Sequence, residues 1–305
     1  MEIVVVGSVA LDSIHTPHAS RERLLGGSAS YFSLAARHLG SVGVVACVGD
    51  DFPSEHSTLL EARGIDLLGL ARCTGATFCW EGEYSADLMQ RRSLRTELGV
   101  FESFEPQIPS TYRHAQALFL ANIDPELQLH VLEQLPGMPL VAVDTMNFWI
   151  EGCRALVEQV IARTHVLLVN DEEAELLTGI SEVSRAAPQI RHMGPEVVVI
   201  KKGTHGAAAL GPWGWLLFPA LPLAEVEDTT GAGDSFAGGL VGYLASRSWR
   251  DREAFAEGLA VATAMASLVV ESFGVTAIAT DRREELISRC ALLRDAMRFD
   301  APAIP

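Results

Sequence analysis

Apolar residues along the chain gather into short unbroken runs separated by polar, glycine-rich turns. Ile3-Val4-Val5-Val6 is continuous and β-branched, the pattern of a strand covered on both faces, and it stops at Gly7 with Asp12 a few residues on. Similar runs at 42–48, 117–121, 140–144, 166–170 and 197–200 predict further strands. Between them the spacing turns helical, as in 28–40, closed by Gly40, and 55–63, closed by Gly64. Strands alternating with helices predict a parallel sheet covered on both faces, with ligands beyond the carboxyl ends of its strands. From Cys73 to Pro109 the helical period is lost, and 77–84 alternates and is rich in strand formers.

One stretch breaks this pattern with chemistry. Asp228-Thr229-Thr230-Gly231-Ala232-Gly233-Asp234-Ser235-Phe236-Ala237-Gly238-Gly239 leads into an apolar run at helical spacing. Gly-Ala-Gly at a helix start leaves backbone N–H groups bare and aligned with the positive end of the helix dipole, which makes an anion site. Asp234 falls in the first turn. Its plainest role is a favourable charge on the dipole, worth about 0.3–1 kcal/mol. Its sharper role is a base for a hydroxyl while the amides hold a phosphoryl group. Gly238, Gly239 and Gly242 each cost about 1 kcal/mol relative to Ala in a helix, so close packing or a ligand must hold this one. The following helix, 253–270, is rich in small residues that permit such packing.

Composition narrows the classes. With 305 residues and 49% hydrophobic content, the chain can bury a large core as one domain with an excursion. Its net charge of −16 argues against non-specific nucleic-acid or membrane-surface binding. Five cysteines, at 47, 73, 79, 153 and 290, include no Cys-x-x-Cys pair and suit free thiols in a reducing cytoplasm. No signal peptide and no membrane span is read. The first strand lacks the Gly-x-Gly-x-x-Gly turn of a dinucleotide-binding fold, and neither a P-loop nor a Gly-x-Ser-x-Gly elbow occurs.

The stretch around Asp234 resembles the signature of the ribokinase-like (phosphofructokinase-B) family of sugar and nucleoside kinases. That resemblance implies a three-layer α/β/α domain over 1–305, with a mostly parallel central sheet and a small β lid from about 9–20 and 73–101. It implies Asp234 as catalytic base and Gly231, Ala232 and Gly233 as the anion hole. Asp12 and the Gly26-Gly27 pair match the family's acceptor-binding positions. Tyr31 stands where the common motif has Asn, and is expected either to stack on a sugar or base face or to belong to the core. Gly49-Asp50-Asp51 matches a loop near the substrate.

For the nucleotide the resemblance implies Lys201, Gly203, Thr204 and Gly206 in a phosphate-side loop and Phe273 near the adenine. Asn170 and Glu173 form a capping box by spacing and also match the family's Asn-x-x-Glu motif, which associates Glu173 with Mg2+ through water. The Asp228 and Thr230 carbonyls match a monovalent cation site, suited to K+. Asp144 and Asn147, at a strand end, read mainly as turn formers. Arg91, Arg92 and Arg95 read as a solvated face, or else as recognition of an anionic substrate. The expected activity is ATP-dependent phosphorylation of a primary hydroxyl on a small sugar, with a nucleoside acceptor as the alternative and a non-catalytic sensor as a third reading. A homodimer through the lid is also expected.

Overall fold

An unbroken β-branched run has no side to turn to water, and β1 (Ile3–Val6) accordingly has every side chain buried. The computed structural model describes residues 1–85, 88, 91–135 and 137–298. The chain continues through β2 (Ala10–His15), β3 (Ser20–Gly26), α1 (Ser28–Ala36), β4 (Val42–Val48), α2 (Ser54–Ala62), β5 (Asp66–Arg72), β6 (Cys79–Tyr84) and β7 (Arg91–Glu97). Then come β8 (Ala117–Leu120), α3 (Pro125–Gln134), β9 (Leu140–Asp144), α4 (Asn147–Gly152), α5 (Arg154–Ile161), β10 (Val166–Asn170), α6 (Asp171–Thr178) and α7 (Val183–Arg191). β11 (Val197–Lys201), β12 (Ala207–Gly211), β13 (Gly214–Phe218), α8 (Ala232–Leu244), α9 (Arg252–Val269), α10 (Thr276–Ala279) and α11 (Arg283–Met297) complete it.

The large sheet runs β13-β12-β11-β10-β9-β8-β1-β4-β5. From β5 to β11 every pairing is parallel, with Ile3 opposite both Val42 and Ala117. An antiparallel hairpin, β12–β13, extends one edge and was not anticipated. Alternate residues feed two cores. Ile3, Val5, Phe119 and Leu168 pack with Phe32, Leu240 and Phe255 of α1, α8 and α9. Val4, Val6, Leu118 and Leu167 pack with Val131, Val157 and Ile190 of α3, α5 and α7. The expected three-layer α/β/α arrangement with a mostly parallel sheet is therefore present.

The helix expected over 28–40 ends at Ala36, where Leu39 closes a tighter turn by donating to the Ala36 carbonyl. The strand expected from 77 begins at Cys79. A separate small sheet, β3-β2-β6-β7, stands beside the large one. The segments 9–20 and 73–101 supply β2, β6 and β7, while β3 runs on to Gly26; residues 86, 87, 89 and 90 lie outside the described ones. Asp12 pairs with Trp80, and Tyr84 with Arg91. Paired residues share a face and successive residues alternate. Asp12, Trp80, Tyr84 and Arg91 thus lie on one face of the small sheet.

The glycines of α8 are explained by packing. A Cβ at Gly238 would stand 2.5 Å from the Phe32 carbonyl oxygen, at Gly239 2.8 Å from the Ala262 Cα, and at Gly242 2.8 Å from Leu39 Cδ1. The helix is wedged between α1 and α9. Gly238→Ala should therefore lower stability, by about 1–3 kcal/mol, although helix propensity alone favours Ala. A thermal melt showing a higher Tm for this variant would refute the wedge.

Candidate active site

The turn before α8 is built by its own side chains. Asp228 is fully buried, and its carboxylate accepts from the Thr230 amide at 2.8 Å and the Gly274 amide at 3.1 Å. This ties the signature to the 270–275 loop, where Val270 also accepts from the Glu227 amide at 2.9 Å. Gly231 caps α8 with φ +75, a left-handed conformation suited to glycine. A Cβ there would enter the ring of Tyr31, so backbone and packing both demand glycine. Helix geometry gives the first-turn amides beyond it no intrahelical acceptor; that of Ala232 donates to the Thr229 carbonyl at 3.3 Å. Asp234, like the turn around it, is half-buried. Burial first, then the nearby Asp144, pushes its pKa up to about 7, against the pull of Lys201 and Arg91.

Opposite Asp234 the parallel strands end side by side. β9 ends at Asp144, β10 leads into Glu173 through Asn170, and β11 ends at Lys201. The Lys201 ammonium donates to Asp144 Oδ2 at 2.8 Å, with the lysine side chain only 17% exposed. Burial alone would depress this ammonium; Asp144, Glu173 and Asp234 outweigh it and raise its pKa. Lys201 Nζ lies 3.3 Å from where a Gly233 Cβ would project, so it borders the turn that opens α8. The capping box forms as spacing predicts, with Asn170 Oδ1 accepting from the Glu173 amide at 2.7 Å and Glu173 Oε2 accepting from the Asn170 amide at 2.8 Å. Burial, then Asp144, pushes Glu173 up to about 7. Asp144, which sequence reading weighted little, is a central member of the cleft.

Across the cleft lies Asp12, 4% exposed and pushed up to about 7 by burial, against the Gly27 amide that donates to it. A Cβ at Gly26 would strike the same carboxylate, so the glycine pair wraps Asp12. Tyr31 is 1% exposed, and its phenol oxygen has no hydrogen-bond partner. Burial first, then the charges of Asp12, Asp228, Tyr84 and Asp234, raise its pKa. The phenol is aimed among these acids. From the small sheet, the Tyr84 hydroxyl is hydrogen-bonded to Thr230 Oγ1 at 2.7 Å, a contact the sequence did not signal.

Other expected residues stand apart. Gly203 and Thr204 form an exposed turn that follows Lys201 after one residue, Lys202. At Gly206 a Cβ would strike the Phe218 carbonyl, so packing of the edge hairpin already requires glycine. Phe273 lies under the Arg21 guanidinium, 5.2 Å from its ring centre, and lines a cavity of about 310 Å³ with Leu24, Leu25 and His56. These neighbours belong to β3 and α2. The carboxylates of Asp50 and Asp51 accept from the amides of Gly75 and Thr77 at 3.2 and 2.7 Å. Arg92 and Arg95 pair with Glu83 and Glu97 on the outer face. Among the described residues no group of three or more His, Cys, Asp or Glu side chains is placed to hold a metal, and no helix is long and apolar enough to cross a membrane.

Residues 2–282 match the pfkB family carbohydrate kinase profile. The chain is 32% identical over 255 residues to a cytidine kinase of Thermococcus kodakarensis, covering 81% of this chain and 90% of that one. It is 26% identical over 292 residues to an aminoimidazole riboside kinase of Salmonella typhimurium, covering 90% of each. Its fold matches the Methanocaldococcus jannaschii nucleoside kinase with a TM-score of 0.77 at 20% identity, covering 96% of this chain and 99% of that one. It also matches the Salmonella enterica aminoimidazole riboside kinase, solved with aminoimidazole riboside and an ATP analogue, with a TM-score of 0.73 at 21% identity and coverage of 95% and 100%. Gly231 to Asp234 belong to a kinase that transfers phosphate to an alcohol: the chain is a member of the pfkB family of carbohydrate kinases.

Proposed function

We infer that this kinase uses ATP to phosphorylate the primary hydroxyl of a ribonucleoside. The observation that carries the transfer chemistry is the half-buried Asp234 carboxyl in the first turn of α8, near the Lys201 ammonium that borders Gly233. For the acceptor, a base-bearing riboside replaces the sugar favoured on sequence alone. The cytidine and aminoimidazole riboside kinases among its relatives support this. So do the aromatic side chains beside Asp12: Tyr31 beneath, and Trp80 and Tyr84 on the same face of the small sheet.

In this reading Asp12 accepts from the ribose hydroxyls and the unpaired Tyr31 phenol donates to the acceptor. The attacking hydroxyl gives its proton to Asp234 as its oxygen bonds the γ-phosphorus and the bond to the ADP oxygen breaks. Amides of Gly231, Ala232 and Gly233, with Lys201, bind the charge on the transferring group. The small sheet acts as the lid that excludes water, held to the signature by Tyr84 and Thr230. Glu173 Oε1 is left uncommitted by the capping box, and hard oxygen donors suit Mg2+, which takes one or two carboxylates and completes its shell with phosphates and water. Glu173, beside Asp144, would hold that ion, whose chemistry is to neutralise phosphate charge. Asp228 spends its carboxylate on amides, which leaves its carbonyl and that of Thr230 for K+. Gly203 and Thr204 are the proposed nucleotide-side turn, and exposed Leu94 and Leu98 support pairing of two lids in a homodimer.

Asp234→Asn should cut kcat by about a hundred- to ten-thousand-fold in a Mg-ATP assay with cytidine and related ribosides. Turnover near wild type would remove Asp234 from the chemistry. The same substitution should stabilise the protein at pH 8. A carboxyl raised from 3.8 to about 7 costs nothing below its ordinary value, and its cost grows across that window to its full size above it. The gain in Tm should therefore vanish toward pH 4.

Since the base must be ionised, kcat/KM should fall as pH drops through about 7, by about tenfold per unit. A profile flat down to pH 5.5 would contradict a base of raised pKa. Asp12→Ala should raise the acceptor KM far more than the ATP KM; the reverse pattern would move Asp12 out of the acceptor site.

A further inference from the structure

Three arginines lie on β7, and the pleat separates them. Arg92 and Arg95 pair opposite Glu83 and Glu81 and form ion pairs on the outer face, Arg92 with Glu83 at 2.6 Å and Arg95 with Glu97. Arg91 pairs opposite Tyr84, so it shares the inner face with Asp12 and Trp80. Among the described residues it makes no ion pair. Its guanidinium instead rests over the indole of Trp80, 5.3 Å from the ring centroid, a contact worth about 0.5–1 kcal/mol at an exposed site. That is enough to orient a side chain and too little to hold it against a phosphate.

The position of Arg91 follows from its neighbour. Tyr84 stands directly across the ladder, where paired Cβ atoms are about 5 Å apart, and its hydroxyl is 2.7 Å from Thr230 Oγ1, one residue before the anion hole. An arginine has a reach comparable to a tyrosine, so from that strand position it can meet the Gly231–Gly233 turn. Its charge favours the ionised forms of Asp12, Glu173 and Asp234 together, groups brought in from three separate elements. A residue on an outer face would not act on all three.

Resting on the kinase reading above, we propose that Arg91 is a catalytic residue: it leaves Trp80 to clamp the transferring phosphoryl group from the side opposite the α8 amides. A planar guanidinium can bond two phosphoryl oxygens at once, which strengthens as charge spreads over them in the transition state. No bond is made or broken by Arg91 itself. The small sheet would then complete the catalytic constellation as well as cover it, and an open lid would be inactive toward water.

Arg91→Ala should lower kcat by about a hundred- to thousand-fold while both KM values move by less than about threefold. Arg91→Lys should keep part of the rate, and added guanidinium ion should restore part of it to Arg91→Ala. Arg92→Ala, which breaks only the outer ion pair, should behave as wild type. A kcat for Arg91→Ala within about threefold of wild type, a loss confined to the acceptor KM, or failure of both lysine and guanidinium to rescue would overturn the proposal. Wild-type turnover of ribosides decides the underlying reading separately. Should the wild type phosphorylate none of them, Mg-ADP binding with and without aluminium fluoride still tests Arg91. The wild type should bind more tightly with fluoride present and Arg91→Ala should lose that gain; an equal gain in both would refute the clamp.

Discussion

Lys201 is the buried cation on which the cleft depends. Parallel pairing sets Leu168 opposite Asp144 and Asn170 opposite Lys201, so the ends of β9, β10 and β11 deliver Asp144, Glu173 and Lys201 to one place. Removing charged groups from water is expensive, and an uncompensated buried charge is worse. One ammonium offsets Asp144 directly, at 2.8 Å, and draws on Glu173 and Asp234 less. Burial first, and then the charge of Asp144, displaces both of those carboxyls toward neutral pH against the pull of that ammonium. The sheet thus holds an acidic cleft whose Asp144 is offset by a largely enclosed lysine.

Tyr31 couples this cleft to the acceptor side. Its ring occupies the volume a side chain at residue 231 would need, while its hydroxyl projects among Asp12, Asp228 and Asp234. The same residue therefore shapes the Gly231 turn and, on the proposed reading, floors the acceptor pocket. The bulk of the Tyr31 ring makes glycine at 231 obligatory for packing as well as for backbone conformation.

The interior of the fold was legible because β-branched runs such as 3–6 and 197–200 are buried on both faces and carry no competing signal. Edges were not. β7 reads Arg-Arg-Ser-Leu-Arg-Thr-Glu and is exposed throughout, and β12 opens on three alanines, which favour helix. In the site, the local motifs around Asp234, Gly26 and Asn170 were readable because their partners are near in sequence. Asp144 was not, since the lysine that gives it meaning is 57 residues away. The Tyr84 to Thr230 contact spans 146 residues and has no motif at either end. Arg91 could be separated from Arg92 by parity alone, but which of the two faces inward depends on the register with Tyr84.

The two sheets divide the work differently from the way a motif reading suggests. Asp234, Lys201, Asp144 and Glu173 all come from the ends of the large sheet or the helices beside it, fixed by two hydrophobic cores. Asp12, Trp80, Tyr84 and Arg91 come from the small sheet, which enters one of those cores through Leu11 and Leu25 and meets the signature through the Tyr84 side chain. Substitutions at Asp12 or Trp80 would leave Asp144, Glu173, Lys201 and Asp234 seated at the ends of the large sheet and its helices. On the proposed reading the inner face of the small sheet meets both reactants, the acceptor through Asp12 and its aromatic neighbours and the phosphate through Arg91.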